Sequence, residues 1–188
     1  MRMKTTDNQE ELFDLVDEND NVIGEVSRKQ ANHNPLLIHR AIGVLIFNQS
    51  SHLFLQQRSS TKDTDPNKWS ISIAGHVSKG KPYKETAVRE GQEELGITTK
   101  PVYVCKHLVK TQQEAEINCI FKAQHNGPFT LNPQEIVGGR FFPIEEIQSK
   151  LDSSELDITT FSLITLNLVC GILSKDWQTV KHCLIKTF

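Results

Sequence analysis

Three glutamates, Glu90, Glu93 and Glu94, stand three and four residues apart in a segment, Tyr83–Leu95, that otherwise reads as a helix. Residues at those spacings share one helix face, and like charges there repel by roughly 0.2–0.5 kcal/mol per exposed pair. A chain that keeps such a face needs solvent or cations against it. Hard divalent cations such as Mg²⁺ take oxygen ligands, combining carboxylates with a substrate's own phosphates. The opposite face carries Val88, Gly91 and Leu95 and is expected to pack on a sheet. A mid-helix glycine costs about 1 kcal/mol relative to alanine, so Gly91 is expected to allow close approach to a strand. Pro82 suits the first helical position, where its missing N–H is harmless, and Gly96 suits the residue that closes the helix. An isolated E-x-x-E-E is more often an ordinary solvated acidic face. The surroundings of this one have to decide.

Upstream, Phe13–Asp17 and Val22–Val26 flank an Asx-rich turn and read as a hairpin. His39–Asn48, with the apolar run Ala41–Phe47, reads as a strand buried on both faces. Leu53–Gln57 and Trp69–Val77 read as strands separated by a polar loop, Thr61–Lys68. Downstream, Val102–Thr111, Ile117–Gln124 and Arg140–Pro143 are expected strands, and Ile144–Leu151 and Ile158–Leu173 expected helices; Trp177–Phe188 suits either state. This order predicts an α+β domain layered as an α/β/α sandwich. The 188 residues fit one domain, residues 11–188, behind a polar N-terminal tail, residues 1–10. A net charge of −2 gives no reason to expect a nucleic-acid polymer or a membrane as partner. The longest apolar tract, Phe161–Leu173, is too short and too polar to span a bilayer; it is expected to complete the core or to form a homodimer face. Cys105, Cys119, Cys170 and Cys183 form no C-x-x-C pair and sit in largely apolar stretches, which suits buried thiols in a reducing cytoplasm.

The stretch Gly75–Ile97 resembles the Nudix box: Gly, five residues, Glu, seven residues, then Arg-Glu-apolar-x-Glu-Glu-x-Gly-apolar. Gly75, Arg89, Glu90, Glu93, Glu94, Gly96 and Ile97 stand at the required spacings. The resemblance extends more loosely from Leu12 to Ile147. It implies a Nudix fold with a mixed central sheet, the box helix and C-terminal helices, and an enzyme that cleaves the diphosphate linkage of a nucleoside diphosphate derivative or similar small molecule. It implies Mg²⁺ or Mn²⁺ held by Glu90, Glu93, Glu94 and the backbone carbonyl of Ala74, with Arg89 orienting the carboxylates. Glu90 is the first candidate for the base, with Glu114, Glu116 and Glu135 as alternatives. Two positions depart from the pattern. Lys81 replaces the first glutamate, which puts turnover in question unless Glu85, one helical turn before Arg89, substitutes for it. Gly91 replaces an apolar residue.

The region His39–Ile97 also resembles the isopentenyl diphosphate isomerase branch of the same superfamily. By that resemblance His39, His76, Glu114 and Glu116 fall on metal-ligand positions, with His33 near a further one, while Arg58 and Lys62 fall where the branch contacts a diphosphate and Glu135 is assigned to substrate. The catalytic cysteine of that branch is Ala74 here, and a methyl group cannot relay a proton to an alkene carbon. Hydrolysis is therefore the first reading. Its rivals are an isomerase and a catalytically impaired diphosphate binder, the latter resting on Lys81. Specificity is expected in loops, with Asn32–Ile38, Ser60–Lys68 and Gly127–Asn132 as candidates.

Overall fold

The computed structural model describes residue 5, residues 7–172 and residues 184–188. Leu12–Val16 (β1) and Val22–Ser27 (β2) form the expected hairpin as a separate two-stranded sheet. A short helix that the sequence did not announce, Arg28–Ala31 (α1), follows; the Gln30 side chain accepts the Ser27 N–H at its start.

The main sheet runs β10-β7-β8-β3-β4-β5, with β6 on β3 and β9 on β4. Its strands are Ile38–Phe47 (β3), Leu53–Arg58 (β4), Trp69–Ile71 (β5), Ile73–His76 (β6), Val102–Lys110 (β7), Ala115–Gln124 (β8), Ile136–Phe142 (β9) and Leu184–Thr187 (β10). β3 and β8 pair in parallel, and the remaining pairs are antiparallel, so the sheet is mixed as expected. Tyr83–Leu95 (α2) covers one face, and Ile144–Asp152 (α3) and Thr160–Cys170 (α4) cover the other. Side chains alternate between faces along a strand. Ile42, Val44 and Ile46 of β3 therefore meet the α2 side, while Leu45 joins the α3 and α4 side.

Four expectations need correction. Trp69–Val77 is two strands, because β5 pairs with β4 and β6 with β3. The switch falls at Ser72, whose hydroxyl donates to the Phe54 carbonyl (2.6 Å) and accepts from the Ile46 N–H (2.8 Å). β9 begins at Ile136, not Arg140, since Gly138 and Gly139 also pair with β4. Pro82 is the extended N-cap of α2, one residue before the first helical position. α4 starts at Thr160, because the Thr159 hydroxyl accepts the Ser162 N–H and so caps the helix; Gly171 closes it in the left-handed region, and Leu173 lies outside the described residues. Leu163, Ile164 and Leu166 are buried, so α4 completes the core. The end of the Trp177–Phe188 segment is strand β10, and the rest of it, with Cys183, lies outside the described residues. No helix among the described residues is long and apolar enough to cross a membrane.

The Ser72 switch is what makes room for a site. β3 and β4 pair in register only at Phe47 and Leu53, then part, each taking a different partner.

Candidate active site

A cavity of about 340 Å³ lies where the two halves of the sheet part, and its wall draws residues from both faces. Glu90 and Glu94 reach it from the α2 side, Glu116 and Asn118 from the other.

The α2 carboxylates are graded by depth. Glu94 is only 5% exposed and accepts a 2.8 Å hydrogen bond from Gln56 Nε2. Glu90 is half-buried, and Glu93 is exposed. Arg89 grips both, at 2.7 Å to Glu90 Oε1 and 2.6 Å to Glu93 Oε2, which is the orienting contact expected of it. Burial pushes the Glu90 carboxyl up to about 7; Arg89 pulls it back, and Glu93 and Glu135 add to the rise. Burial likewise lifts Glu94 well above the usual carboxylate range, reinforced by Glu90 and Glu135. Glu90 and Glu94, two raised carboxyls with Glu93 on the same helix face, are a donor set that fits a divalent cation.

The helix meets the sheet somewhat differently from expectation. Ala87, rather than Val88, joins Gly91 and Leu95 in the buried stripe. A methyl group at Gly91 would make ordinary 3.4 Å contact with Ile73 Cδ1, so the close approach is not set there. It is set at Gly75, where a Cβ would lie 2.5 Å from Glu90 Oε1. Lys81 is exposed in the loop before α2, outside the cavity wall, and Glu85 is exposed as well. The ion pairs of Arg89 go to Glu90 and Glu93, so Glu85 does not substitute for the missing box glutamate.

A second cluster lies beside the first. His39 on β3 is the register partner of Glu116 on β8, and His76 on β6 pairs with Ala41 two residues along β3. One ligand atom from each of His39, His76 and Glu116 lies within 4.8 Å of the others. His76 Nε2 is 3.0 Å from Glu116 Oε1 and His39 Nε2 is 3.4 Å from it. His39 Nε2 is buried without a hydrogen-bond partner, as a nitrogen meant for a metal would be. Phe13 of the hairpin stacks on the His39 ring, centroids 5.2 Å apart, and lies tilted against the His76 ring at 4.8 Å. Burial opposes ionisation of Glu116, but His39 and His76 hold it well below the usual range. Glu114 lines the cavity beside this cluster without joining it, and burial, with Glu116 and Asp65, pushes its carboxyl well up. His33 is exposed and belongs to neither group.

The two cations expected to hold phosphate are in the cavity wall, each already engaged. Lys62 contacts the Asp7 carboxylate and lies 2.7 Å from Glu135 Oε2. Arg58 donates to the Thr64 carbonyl (2.8 Å) and the Asp65 carbonyl (3.2 Å), fixing that loop. Sequence reasoning missed Asp7, Glu11 and Arg28. Arg28 pairs with Glu11 at 2.8 Å and approaches Asp7 at 3.7 Å, so the hairpin and α1 close one side of the cavity. The only signal for them was the S-x-x-Q pattern at Ser27–Gln30. Asn118 was also missed. Behind it, His107 is fully buried, and burial pushes its ring down to about 4, so it is neutral.

Residues 37–160 match the NUDIX domain family model. The chain belongs to this family. The expected enzyme class, a Nudix pyrophosphohydrolase, is borne out at that level. A protein named uncharacterized Nudix hydrolase from Yersinia pestis is 33% identical over 159 residues, spanning 84% of this chain and 85% of that protein. A protein named isopentenyl-diphosphate Delta-isomerase 1 from Photorhabdus laumondii is 31% identical over 148 residues, spanning 75% of this chain and 84% of that one. The suspected isomerase-like branch of the Nudix superfamily is thus borne out too. Among solved structures, a Deinococcus radiodurans protein shares the fold with a TM-score of 0.71 at 22% identity, over 82% of this chain and 96% of that one.

Proposed function

We propose that this Nudix protein hydrolyses the diphosphate linkage of a nucleoside diphosphate derivative or a similar small organic diphosphate, in the cytoplasm. The observation that supports this most is buried Glu94 beside Glu90 and Lys62 in one 340 Å³ cavity. Glu90, Glu93 and Glu94, with the Ala74 carbonyl, would hold Mg²⁺ or Mn²⁺. When bound, such an ion neutralises charge on phosphate oxygens and lowers the pKa of water.

The chain's own residues do the rest. Glu90, held in direction by Arg89 at 2.7 Å, takes the proton of the attacking water. Arg89 fixes the directions of Glu90 and Glu93. Lys62 exchanges the Asp7 carboxylate for a substrate phosphate, an anion of the same kind. Arg58 keeps the Thr64–Asp65 loop in place and adds positive charge to the wall.

The test is release of phosphate or nucleotide from dinucleotides, nucleotide sugars, nucleoside triphosphates and isoprenoid diphosphates, with Mg²⁺ and with EDTA. Cleavage of a member with Mg²⁺ and none with EDTA is expected. Tight binding without turnover would replace this reading by a non-catalytic binder.

The same site predicts a pH effect. Without metal, burial raises the carboxyls of Glu90 and Glu94, Glu90 to about 7, so near neutral pH a cation competes with protons for them. Mg²⁺ affinity is therefore expected to rise as pH climbs through about 7 and to fall in acid. Calorimetric titration in buffers of different ionisation enthalpy should reveal proton release; identical enthalpies in all buffers would contradict it.

One observation favours a second reading. The His39–His76–Glu116 cluster suits a metal centre of the isomerase kind. Ala74, where that chemistry needs a thiol, opposes it. Deuterium uptake from heavy water into isopentenyl diphosphate would establish this reading, and its absence would end it.

A further inference from the structure

The floor of the cavity carries polar atoms that the fold leaves without partners. Asn118 lines the cavity with its Oδ1 buried and unpartnered. Its weak contact is a 3.4 Å one from Nδ2 to the Glu116 carbonyl. His107 on β7 is its antiparallel register partner, and both ring nitrogens of His107 are buried and unpartnered. Directly paired residues on neighbouring strands have Cβ atoms about 4.5–5.5 Å apart, so the two side chains form one polar patch. Three orphaned atoms in one cross-strand pair depart sharply from the rule that buried polar groups are hydrogen-bonded. The patch is one step along β8 from Glu116 on the same face, with Ala41 of β3 on its other side.

The walls above are equally polar. Of the 26 residues that line the cavity, only Ala41, Ile42, Ala74 and Phe161 carry apolar side chains. A hydrocarbon tail placed here would strip water from the polar remainder and give nothing back.

We infer that Asn118, backed by His107, determines specificity by hydrogen-bonding the organic part of the substrate, which is therefore a hydroxyl- or amide-bearing group of the ribose, sugar or base type and not a hydrocarbon. This rests on the reading of the cavity as a diphosphate site. The Asn118 carboxamide turns broadly about its terminal torsion, so either its oxygen or its NH₂ can face the ligand. Sites built to hydrogen-bond a substrate group reject analogues lacking it by far more than apolar pockets discriminate by size.

The experiment measures affinities of the whole protein in Mg²⁺ for inorganic pyrophosphate, ADP, ADP-ribose, UDP-glucose and isopentenyl diphosphate. The wild type is compared with Asn118→Leu, which keeps the volume and removes the hydrogen bonds, and with Asn118→Thr, which retains a hydroxyl and suits a strand. In the wild type at least one hydroxylated diphosphate is expected to bind 10-fold or more tighter than isopentenyl diphosphate. Asn118→Leu should erase that preference, Asn118→Thr should keep part of it, and pyrophosphate binding should stay within about 2-fold in both. An unchanged preference in Asn118→Leu, or a wild type that favours isopentenyl diphosphate, overturns the inference while leaving the diphosphate site standing. A wild type that binds no pyrophosphate overturns the diphosphate reading and this inference with it. Loss of fold in Asn118→Leu leaves the wild-type order and Asn118→Thr to decide.

Discussion

Replacing Glu94 by glutamine is expected to abolish metal-dependent turnover, by at least about 100-fold, and to leave the fold intact. The size follows from comparison: even residues that merely support a metal ligand cost 10–100-fold when removed, and Glu94 is proposed as a ligand itself. The intact fold follows from the local structure. Glutamine has the same shape, and its amide oxygen can keep the 2.8 Å hydrogen bond from Gln56 Nε2. The substitution also removes a buried carboxyl whose ionisation Glu90 and Glu135 oppose, so thermal stability without metal should be unchanged or higher. Loss of Mg²⁺ binding should accompany the loss of activity, measured by titrating the variant with the ion. Full activity in Glu94→Gln would remove α2 as the metal site, whatever the family pattern suggests.

What the sequence made legible divides along a physical line. Local signals were read well: the period of α2, its closing Gly96 and the strand runs of β3, β4, β7 and β8 depend on residues close in the chain. The box residues followed, because Arg89, Glu90, Glu93 and Glu94 lie on one helix whose geometry is fixed by its own backbone. His39, His76 and Glu116 were grouped by the family resemblance alone, because their meeting depends on β3 lying parallel to β8 and antiparallel to β6. No local pattern encodes those pairings. The strand switch at Ser72 is the same kind of event: its hydroxyl looks ordinary in sequence and matters only because Phe54 and Ile46 converge on it. Asp7, Arg28 and Asn118 were missed for this reason. Each reaches the cavity wall only where distant segments close around it. Lys81 is a departure whose place only the fold gives. In the pattern it alarms, since it occupies the place of a glutamate; in the fold it lies outside the cavity wall.

Gly75→Ala is expected to cost about 100-fold in turnover while changing stability little, and the reason is geometric. A Cβ on residue 75 would lie 2.5 Å from Glu90 Oε1 and 2.6 Å from its Cδ, closer than such atoms approach. The neighbour in the way is the tip of a flexible side chain. Glu90 can swing aside at small cost, which spares the fold. It cannot swing aside and stay where Arg89 holds it, 2.7 Å from Oε1. A base displaced by about 1 Å can lose about 100-fold in rate through misalignment alone. Metal binding should weaken less than turnover, because buried Glu94 keeps its hydrogen bond to Gln56. Kinetics and thermal melting on the one variant separate the two effects. Wild-type turnover in Gly75→Ala would mean that Glu90 need not sit over residue 75 to act, and the base would then have to be sought in Glu135 or Glu114, which also line the cavity.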